Sequence, residues 1–151
     1  MNVRLTQIDG TLPNLALMKL SHWHKSRGDT VYFSESVHRD MFEPEFEAVY
    51  GSCIFKFSEK ALATFLRQFP NAIVGGTGTN SNQTVENLIE NYEHYDYSIY
   101  PDYKWSLGFS QRGCRLKCGF CGVPKKEGKP RSVNTIASIW RGADHPKHIH
   151  L

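Results

Sequence analysis

The sequence predicts an α/β fold built around a mainly parallel, doubly wound sheet. Along residues 1–103, short runs rich in β-branched and aromatic residues alternate with segments whose apolar residues recur at helical spacing. This alternation is typical of βαβ units, in which neighbouring strands run parallel. A glycine-rich loop at 75–79 follows directly on one short apolar run, as loops do at the carboxyl ends of such strands. We therefore expect one sheet with helices on both faces.

The first half of the chain predicts three strands and one helix. Residues 2–8 form a strand-like run, and a helix with a broad apolar face follows over 13–28, with a proline tolerated in its first turn. Residues 29–34 predict the second strand. The acidic, proline-containing stretch 35–47 predicts a loop. Residues 48–55 predict the third strand, which we expect to be central because its residues are apolar on both faces.

The next segments continue the alternation. An apolar stripe after Ser58 predicts a helix that ends near residue 69, and residues 71–74 predict a short buried strand. The pattern then predicts a helix over 85–89 and a tyrosine-rich strand over 97–100. The glycine loop between these segments does not match the G-x-G-x-x-G fingerprint, and we favour an empty tight turn over a phosphate site as its explanation.

Length and composition limit the class of protein. The chain has 151 residues and a net charge of +3, with enough apolar and aromatic content for an ordinary core. No run approaches the ~20 apolar residues of a membrane span, so we expect no membrane partner. The first residues contain Arg4 and Asp9 but no apolar segment typical of a signal peptide. These features predict a cytoplasmic protein whose thiols stay reduced.

Three closely spaced cysteines are the strongest functional signal. Cys114, Cys118 and Cys121 form a C-x3-C-x2-C run. Cysteine thiolates hold iron–sulfur clusters, commonly four to a cluster, so three would leave one iron open to another ligand. Three cysteines and a histidine also make a structural zinc site, for which a downstream histidine could be the fourth ligand. The candidates are His145, His148 and His150.

The fourth cysteine is separate from this run. Cys53 lies in a strand-like run and is expected to be a buried, inert thiol.

Residues 112–131 carry seven basic residues against Glu127 alone, a local charge of +6 that leaves −3 for the rest of the chain. This charge would offset that of a cluster, and it also suits contact with nucleic acid. We favour support of a cluster, so nucleic acid is not an expected partner.

The motif resembles a known family. The cysteine spacing, Arg112 and Gly113 before the first cysteine and Phe120 before the last resemble the cluster loop of radical S-adenosylmethionine enzymes. Further segments extend the resemblance to members with an N-terminal cobalamin-binding-type domain. They are the Val-Gly-Gly at 74–76, Tyr-Pro-Asp-Tyr at 100–103, Gly-Phe-Ser-Gln-Arg-Gly-Cys at 108–114 and Val-Pro-Lys-Lys-Glu-Gly at 123–128.

The resemblance implies a set of cofactors and roles. Cys114, Cys118 and Cys121 would bind a four-iron four-sulfur cluster whose open iron is chelated by S-adenosylmethionine. Phe120 would lie near the adenine. Reductive cleavage would yield a 5′-deoxyadenosyl radical, with the electron coming from an external donor and the radical acting on a substrate that the sequence does not identify.

The resemblance also implies a cobalamin-binding-like, Rossmann-type first domain. Gly75 and Gly76 match the glycine pair of that domain, so cobalamin is a further implied cofactor. The family's Asp-x-His-x-x-Gly signature is absent. His22 and His24 lie within the first predicted helix instead, where we expect them to be exposed or half-buried.

The implied domains are 1–103, the cobalamin-binding-type domain, and 104–151, the start of a radical S-adenosylmethionine barrel. In the second, residues 105–110 would be the first strand, 133–140 the first helix and 148–151 the start of the second strand. Most of the barrel would be missing. We therefore expect the N-terminal part of a longer enzyme, which would not turn over substrate on its own.

A barrel start without its remaining strands would expose apolar surface, which favours self-association. The side chains concerned are Trp105, Leu107, Phe109, Ile136, Ile139 and Trp140. The rival interpretation belongs to another class of protein. It is a non-enzymatic module with a zinc knuckle that uses residues 112–131 to bind nucleic acid or protein.

Overall fold

The computed structural model describes residues 1–90, 92–116 and 118–151. The chain divides into two compact units, Met1–Tyr100 and Pro101–Leu151, here called the N-terminal and C-terminal units. Within the described residues, no helix has the length and apolar character required to cross a membrane.

The described part of the N-terminal unit is mixed α/β and contains a sheet of four parallel strands. They are β1 Asn2–Gln7, β2 Thr30–Ser34, β3 Ala48–Ser52 and β4 Ile73–Gly75. The order across the sheet is β2-β1-β3-β4, with Val3 opposite both Val31 and Ala48. The predicted central position of β3 is confirmed, although the strand ends at Ser52 rather than at residue 55. This arrangement is compatible with a Rossmann-like fold.

Helices accompany these strands much as the sequence predicts. They are α1 Leu15–Ser26, α2 Glu59–Gln68 and α3 Val85–Ile89, with a 3-10 helix at Lys56–Ser58. Asn14 begins α1, because its side chain accepts hydrogen bonds from the backbone N–H groups of Ala16 and Leu17. Ser58 precedes α2 as predicted, but its side chain makes no capping hydrogen bond.

The prediction of a strand over 97–100 is wrong. Tyr97–Ile99 is a 3-10 helix, and the Asp96 side chain accepts a hydrogen bond from the backbone N–H of Ser98. The Tyr100 N–H then donates to the carbonyl of Tyr97 at 3.0 Å. Tyrosines favour strands on average, but an aspartate cap and local turn bonds decide the backbone here.

Each face of the sheet carries a hydrophobic cluster, because successive residues of a strand point to opposite faces. On one face, Val3 and Leu5 of β1 pack with α1 residues that include Leu17 and Leu20. The other face carries a cluster of Ile8, Cys53, Phe65 and Phe69. Helices α1 and α2 therefore pack against opposite faces of the sheet.

The connection 35–47 crosses the sheet without forming a helix or strand. Arg4 of β1, fully buried, holds it by an ion pair with Glu43 and by hydrogen bonds from its guanidinium to the carbonyls of Ser36 (2.8 Å) and His38 (3.2 Å). The guanidinium also lies 4.7 Å from the centre of the Phe69 ring. Val37 and Phe46 of the connection also pack against the hydrophobic cluster on this face, so a buried cation with several acceptors and apolar packing together hold it in place.

The C-terminal unit consists of shorter elements than predicted. They are β5 Ser106–Leu107, β6 Gln111–Arg112, α4 Val123–Lys126, β7 Arg131–Ser132, α5 Ile136–Ile139 and β8 Ile149–His150. Strand β5 pairs with β8 in parallel, and β6 pairs with β7 antiparallel. The helix predicted over 133–140 is confined to α5, because a capping box of Thr135 and Ser138 begins it late and Trp140 is already extended.

Candidate functional site

The predicted metal ligands lie on one loop, residues 113–130, here called the cysteine loop. Strands β6 and β7 close its base, where Arg112 lies opposite Arg131. The Cys114 N–H donates to the carbonyl of Gly128 at 3.2 Å, and the Gly113 N–H donates to the Glu127 carboxylate at 2.9 Å. Cys114 is therefore anchored beside the hairpin.

Cys118 and Cys121 lie further out on the loop. They are the first and last residues of a turn in which the Cys121 N–H donates to the Cys118 carbonyl at 3.1 Å. Phe120, inside this turn, is 95% exposed. Cys114, Cys118 and Cys121 are each half-buried, and none forms a disulfide.

The loop carries the donors but does not assemble them around one point. Within the described residues, no group of three or more His, Cys, Asp or Glu side chains is placed to hold a metal ion. The candidate zinc ligands His148 and His150 lie instead in an aromatic cluster, 5.7 and 5.3 Å from the Trp105 ring, centre to centre. The donor chemistry fits a thiolate-bound metal or cluster, and binding would require the loop to close around it.

Some of the basic side chains at this loop contact neighbouring groups of the same unit. The Arg112 guanidinium lies 4.7 Å from the centre of the Phe109 ring and 3.7 Å from the Glu127 carboxylate. Arg131 donates to the carbonyl of Glu127 at 2.6 Å. Arg115 and Lys129 are exposed. Lys117 lies outside the described residues, as does the side chain of Lys125.

The predicted cobalamin-type glycines lie at the carboxyl end of β4, against the end of β3. The Cys53 N–H donates to the Gly75 carbonyl, and the Gly78 N–H donates to the Cys53 carbonyl, both at 3.0 Å. Gly76 has φ +110°, and a Cβ built on it would lie 2.1 Å from the Cys53 carbonyl oxygen. Close packing against the chain's own backbone therefore accounts for glycine at position 76.

Asp9, just past β1, organises the same sheet edge. Its carboxylate accepts hydrogen bonds from the backbone N–H groups of Ile54 (2.7 Å) and Phe55 (2.9 Å) and from the Cys53 thiol (3.4 Å). Burial alone would raise the pKa of Asp9, but these hydrogen bonds outweigh it and lower the pKa. Burial, with Asp9 nearby, raises the pKa of Cys53 to about 11. The prediction of a buried Cys53 is confirmed, and its raised pKa opposes reactivity at neutral pH.

Exposed aromatic surface adjoins this edge. Phe55 and Phe57 follow β3 and stack with ring centres 5.0 Å apart and planes 10° from parallel. Phe57 is 83% exposed. Leu12, in the loop after β1, is also exposed. These side chains give the sheet edge exposed apolar surface.

The expectation of an exposed or half-buried His24 is wrong. His22 is half-buried, but His24 is fully buried, with Nδ1 2.7 Å from the Asp29 carboxylate and Nε2 3.3 Å from the Tyr50 hydroxyl. Helical periodicity could have predicted the burial of His24, because His24 lies seven residues after the buried Leu17 and so shares its face of the helix. Asp29 lies only five residues further along, but Tyr50 belongs to β3, and sequence spacing does not reveal that contact.

Comparison with known proteins adds no relative, since no protein-family model, no curated protein and no solved structure matches the chain.

Proposed function

We propose that this chain is the N-terminal part of a radical S-adenosylmethionine enzyme, with a cobalamin-binding-type first domain and the beginning of the catalytic barrel. The observation that carries the proposal is the set of free cysteines, Cys114, Cys118 and Cys121, at C-x3-C-x2-C spacing on one loop. These residues would hold a four-iron four-sulfur cluster.

Topology supports the proposal in the C-terminal unit. The cysteine loop and helix α5 lie between β5 and β8 along the chain, and these two strands pair in parallel, with Ser106 opposite Ile149. A parallel barrel begins with such a strand, connection and strand. A zinc-knuckle module does not need the parallel pair.

The N-terminal unit supports the finer fold assignment in the same way. The order β2-β1-β3-β4 is that of the first four strands of a flavodoxin-like sheet, whose ligands bind at the carboxyl ends of the strands. Gly75 and Gly76 lie at that edge, near the exposed Phe55 and Phe57. This is where cobalamin would bind in the proposed domain.

The chain's own residues supply ligands and support. One-electron reductive cleavage of S-adenosylmethionine is the chemistry that such a cluster provides when bound, with electrons from an external donor. Three thiolates would leave an iron open for the cosubstrate. The exposed ring of Phe120 could pack against the adenine, and Arg115 and Lys129 would offset the negative charge of thiolates and sulfides.

Metal identity tests the proposal against the zinc-knuckle module. After anaerobic reconstitution with iron and sulfide, we expect a brown protein with broad visible absorption and a cluster signal in electron paramagnetic resonance after reduction. Addition of S-adenosylmethionine should change that signal, because the cosubstrate binds the open iron.

Alanine at Cys114, Cys118 or Cys121 should abolish the cluster. Cys53→Ala is the matched control and should keep it, because Cys53 is buried against Asp9 in the N-terminal unit. Tight stoichiometric binding of zinc by a chain that never assembles iron and sulfide would overturn the proposal and favour the knuckle.

Gel filtration before and after reconstitution tests the proposed self-association, to which the exposed Trp105, Phe109 and Ile136 would contribute.

A further inference from the structure

We propose that Cys118 and Cys121 are a reversible dithiol–disulfide pair in the metal-free chain, and that Cys114 stays outside the pair. The cysteine loop would then have a redox state of its own, separate from any bound metal.

The turn between the two residues provides the geometry. Its closing hydrogen bond, from the Cys121 N–H to the Cys118 carbonyl, measures 3.1 Å. In such a turn the Cα atoms of the first and last residues lie within about 7 Å of each other. Disulfides span Cα separations of about 4.4–6.8 Å, so the pair can close with small adjustments. A Cβ built on Gly119, inside the turn, meets nothing within 4 Å, so no packed neighbour opposes such an adjustment.

Cys114 differs from the pair in its attachments. Its N–H donates to the Gly128 carbonyl (3.2 Å), and its Sγ accepts a hydrogen bond from the Leu116 N–H (3.4 Å). The first of these bonds holds Cys114 at the base of the loop, and the second engages its sulfur locally. Pairing Cys114 with either other cysteine would have to redirect the sulfur that accepts from Leu116 and bring the anchored base residue to the outer turn, whereas closure of the turn involves neither change.

Accessibility separates the pair from Cys53. Phe120 and Gly119 are exposed and Cys118 and Cys121 are half-buried, so a small oxidant can reach the turn. Cys53 is 0% exposed, and its raised pKa of about 11 keeps it protonated. It therefore serves as an internal reference for a thiol that does not react.

The oxidant is a small-molecule disulfide. One cysteine thiolate attacks it, forming a mixed disulfide and releasing one small thiol. The second cysteine then attacks the mixed disulfide and releases the other. In sum, two protein thiols become one disulfide and one small-molecule disulfide becomes two thiols, so electrons and protons balance.

The consequence for metal loading rests on the proposed function. A closed disulfide removes two of the three donors, so the oxidised loop could not take up a cluster until a thiol reduced it. The existence of the pair does not depend on that function, and the experiment keeps the two apart.

The test uses the full chain, stripped of metal with a chelator and equilibrated in buffers of oxidised and reduced glutathione. Remaining thiols are alkylated, and tryptic peptides are weighed. Cleavage after Arg112, Arg115, Lys117 and Lys125 places Cys114 in one peptide and both other cysteines in another. We expect the second peptide to lose two hydrogens reversibly, while Cys114 and, after denaturation, Cys53 are found alkylated.

Matched variants decide the assignment. Cys114→Ser should keep the reversible loss of two hydrogens, whereas Cys118→Ser and Cys121→Ser should abolish it and leave a mixed glutathione disulfide. A disulfide that contains Cys114, or mixed disulfides alone in the unmodified chain, would overturn the proposal. If the pair closes but iron never assembles in the reduced chain, the proposed function fails and this inference stands. If a cluster assembles in a chain whose turn never closes, this inference fails and the proposed function stands.

Discussion

The N-terminal unit is held together by buried side chains, whereas the C-terminal unit relies on backbone pairing and caps. In the described part of the first, both sheet faces carry buried clusters, and Arg4, Lys19 and His24 are buried with polar partners. In the described part of the second, Ile139 is the one buried large apolar side chain. The N-terminal unit can therefore specify its own structure, and the cysteine loop has little packing to fix its donors in place.

The difference bears on the proposed cluster. Metal binding contributes to folding free energy where a site is not formed in advance. The cysteine loop meets that condition, because its thiols share one segment without converging within the described residues. We therefore expect bound metal to order the C-terminal unit while changing the N-terminal unit little.

The largest expected effect comes from the core of the N-terminal unit. Phe65 is fully buried and lies 5.2 Å from Phe69, ring centre to ring centre. Phe65→Ala should lower the free energy of unfolding by about 4 kcal/mol, because it removes apolar burial and leaves a cavity. Leu66→Ala, one residue along the same helix but 37% exposed, should cost only about 1 kcal/mol. Urea unfolding of both variants measures the difference, and equal costs would contradict the assigned core.

A pair of glycines compares the two units directly. Gly76→Ala forces a Cβ to within 2.1 Å of a backbone oxygen at φ +110°, and should cost at least about 2 kcal/mol. Gly119→Ala adds a Cβ that meets nothing within 4 Å, so the change should stay within about 0.5 kcal/mol. Thermal and urea unfolding provide the measurements. A costly Gly119→Ala would mean that the cysteine loop is packed, contrary to the contrast between the two units.

The free energy of unfolding of the N-terminal unit should depend on pH, and this effect should be smaller than those of the core and glycine substitutions. Burial by itself would raise the pKa of Asp96, but hydrogen bonds from Lys25, Ser21 and Ser98 outweigh it and lower the pKa to about 2. Because the folded-state pKa lies below the unfolded value, the stabilisation is present above about pH 4 and is lost as pH falls towards 2. We expect a loss of about 1–2 kcal/mol across that window.

Asp96→Asn should remove that part of the pH dependence of unfolding. Asp102→Asn is the matched control, because it makes the same substitution at an exposed position in the C-terminal unit. Urea unfolding followed between pH 5 and about 2 makes the measurement. An unchanged profile in Asp96→Asn would show that other carboxylates carry the acid sensitivity.

The sequence was sufficient for features that depend on local pattern. Alternating strand-like and helical periodicity predicted the mixed α/β class and the positions of β1 to β4, because periodicity records which face of an element is buried. Cysteine spacing identified candidate donors in the same way, since residues close along the chain share one loop. The turn at Cys118–Cys121 and the hydrogen bond from Cys114 to Gly128 could be identified only in the structure.

Only the tertiary structure decided the strand order, the burial of polar groups and the extent of the shorter elements. The order β2-β1-β3-β4 is set by pairing between strands distant in sequence. Arg4 and His24 are buried with partners from distant parts of the chain, Glu43 for Arg4 and Tyr50 of β3 for His24. A polar side chain can be buried only where its partners are, and neither residue type nor periodicity records where those partners lie.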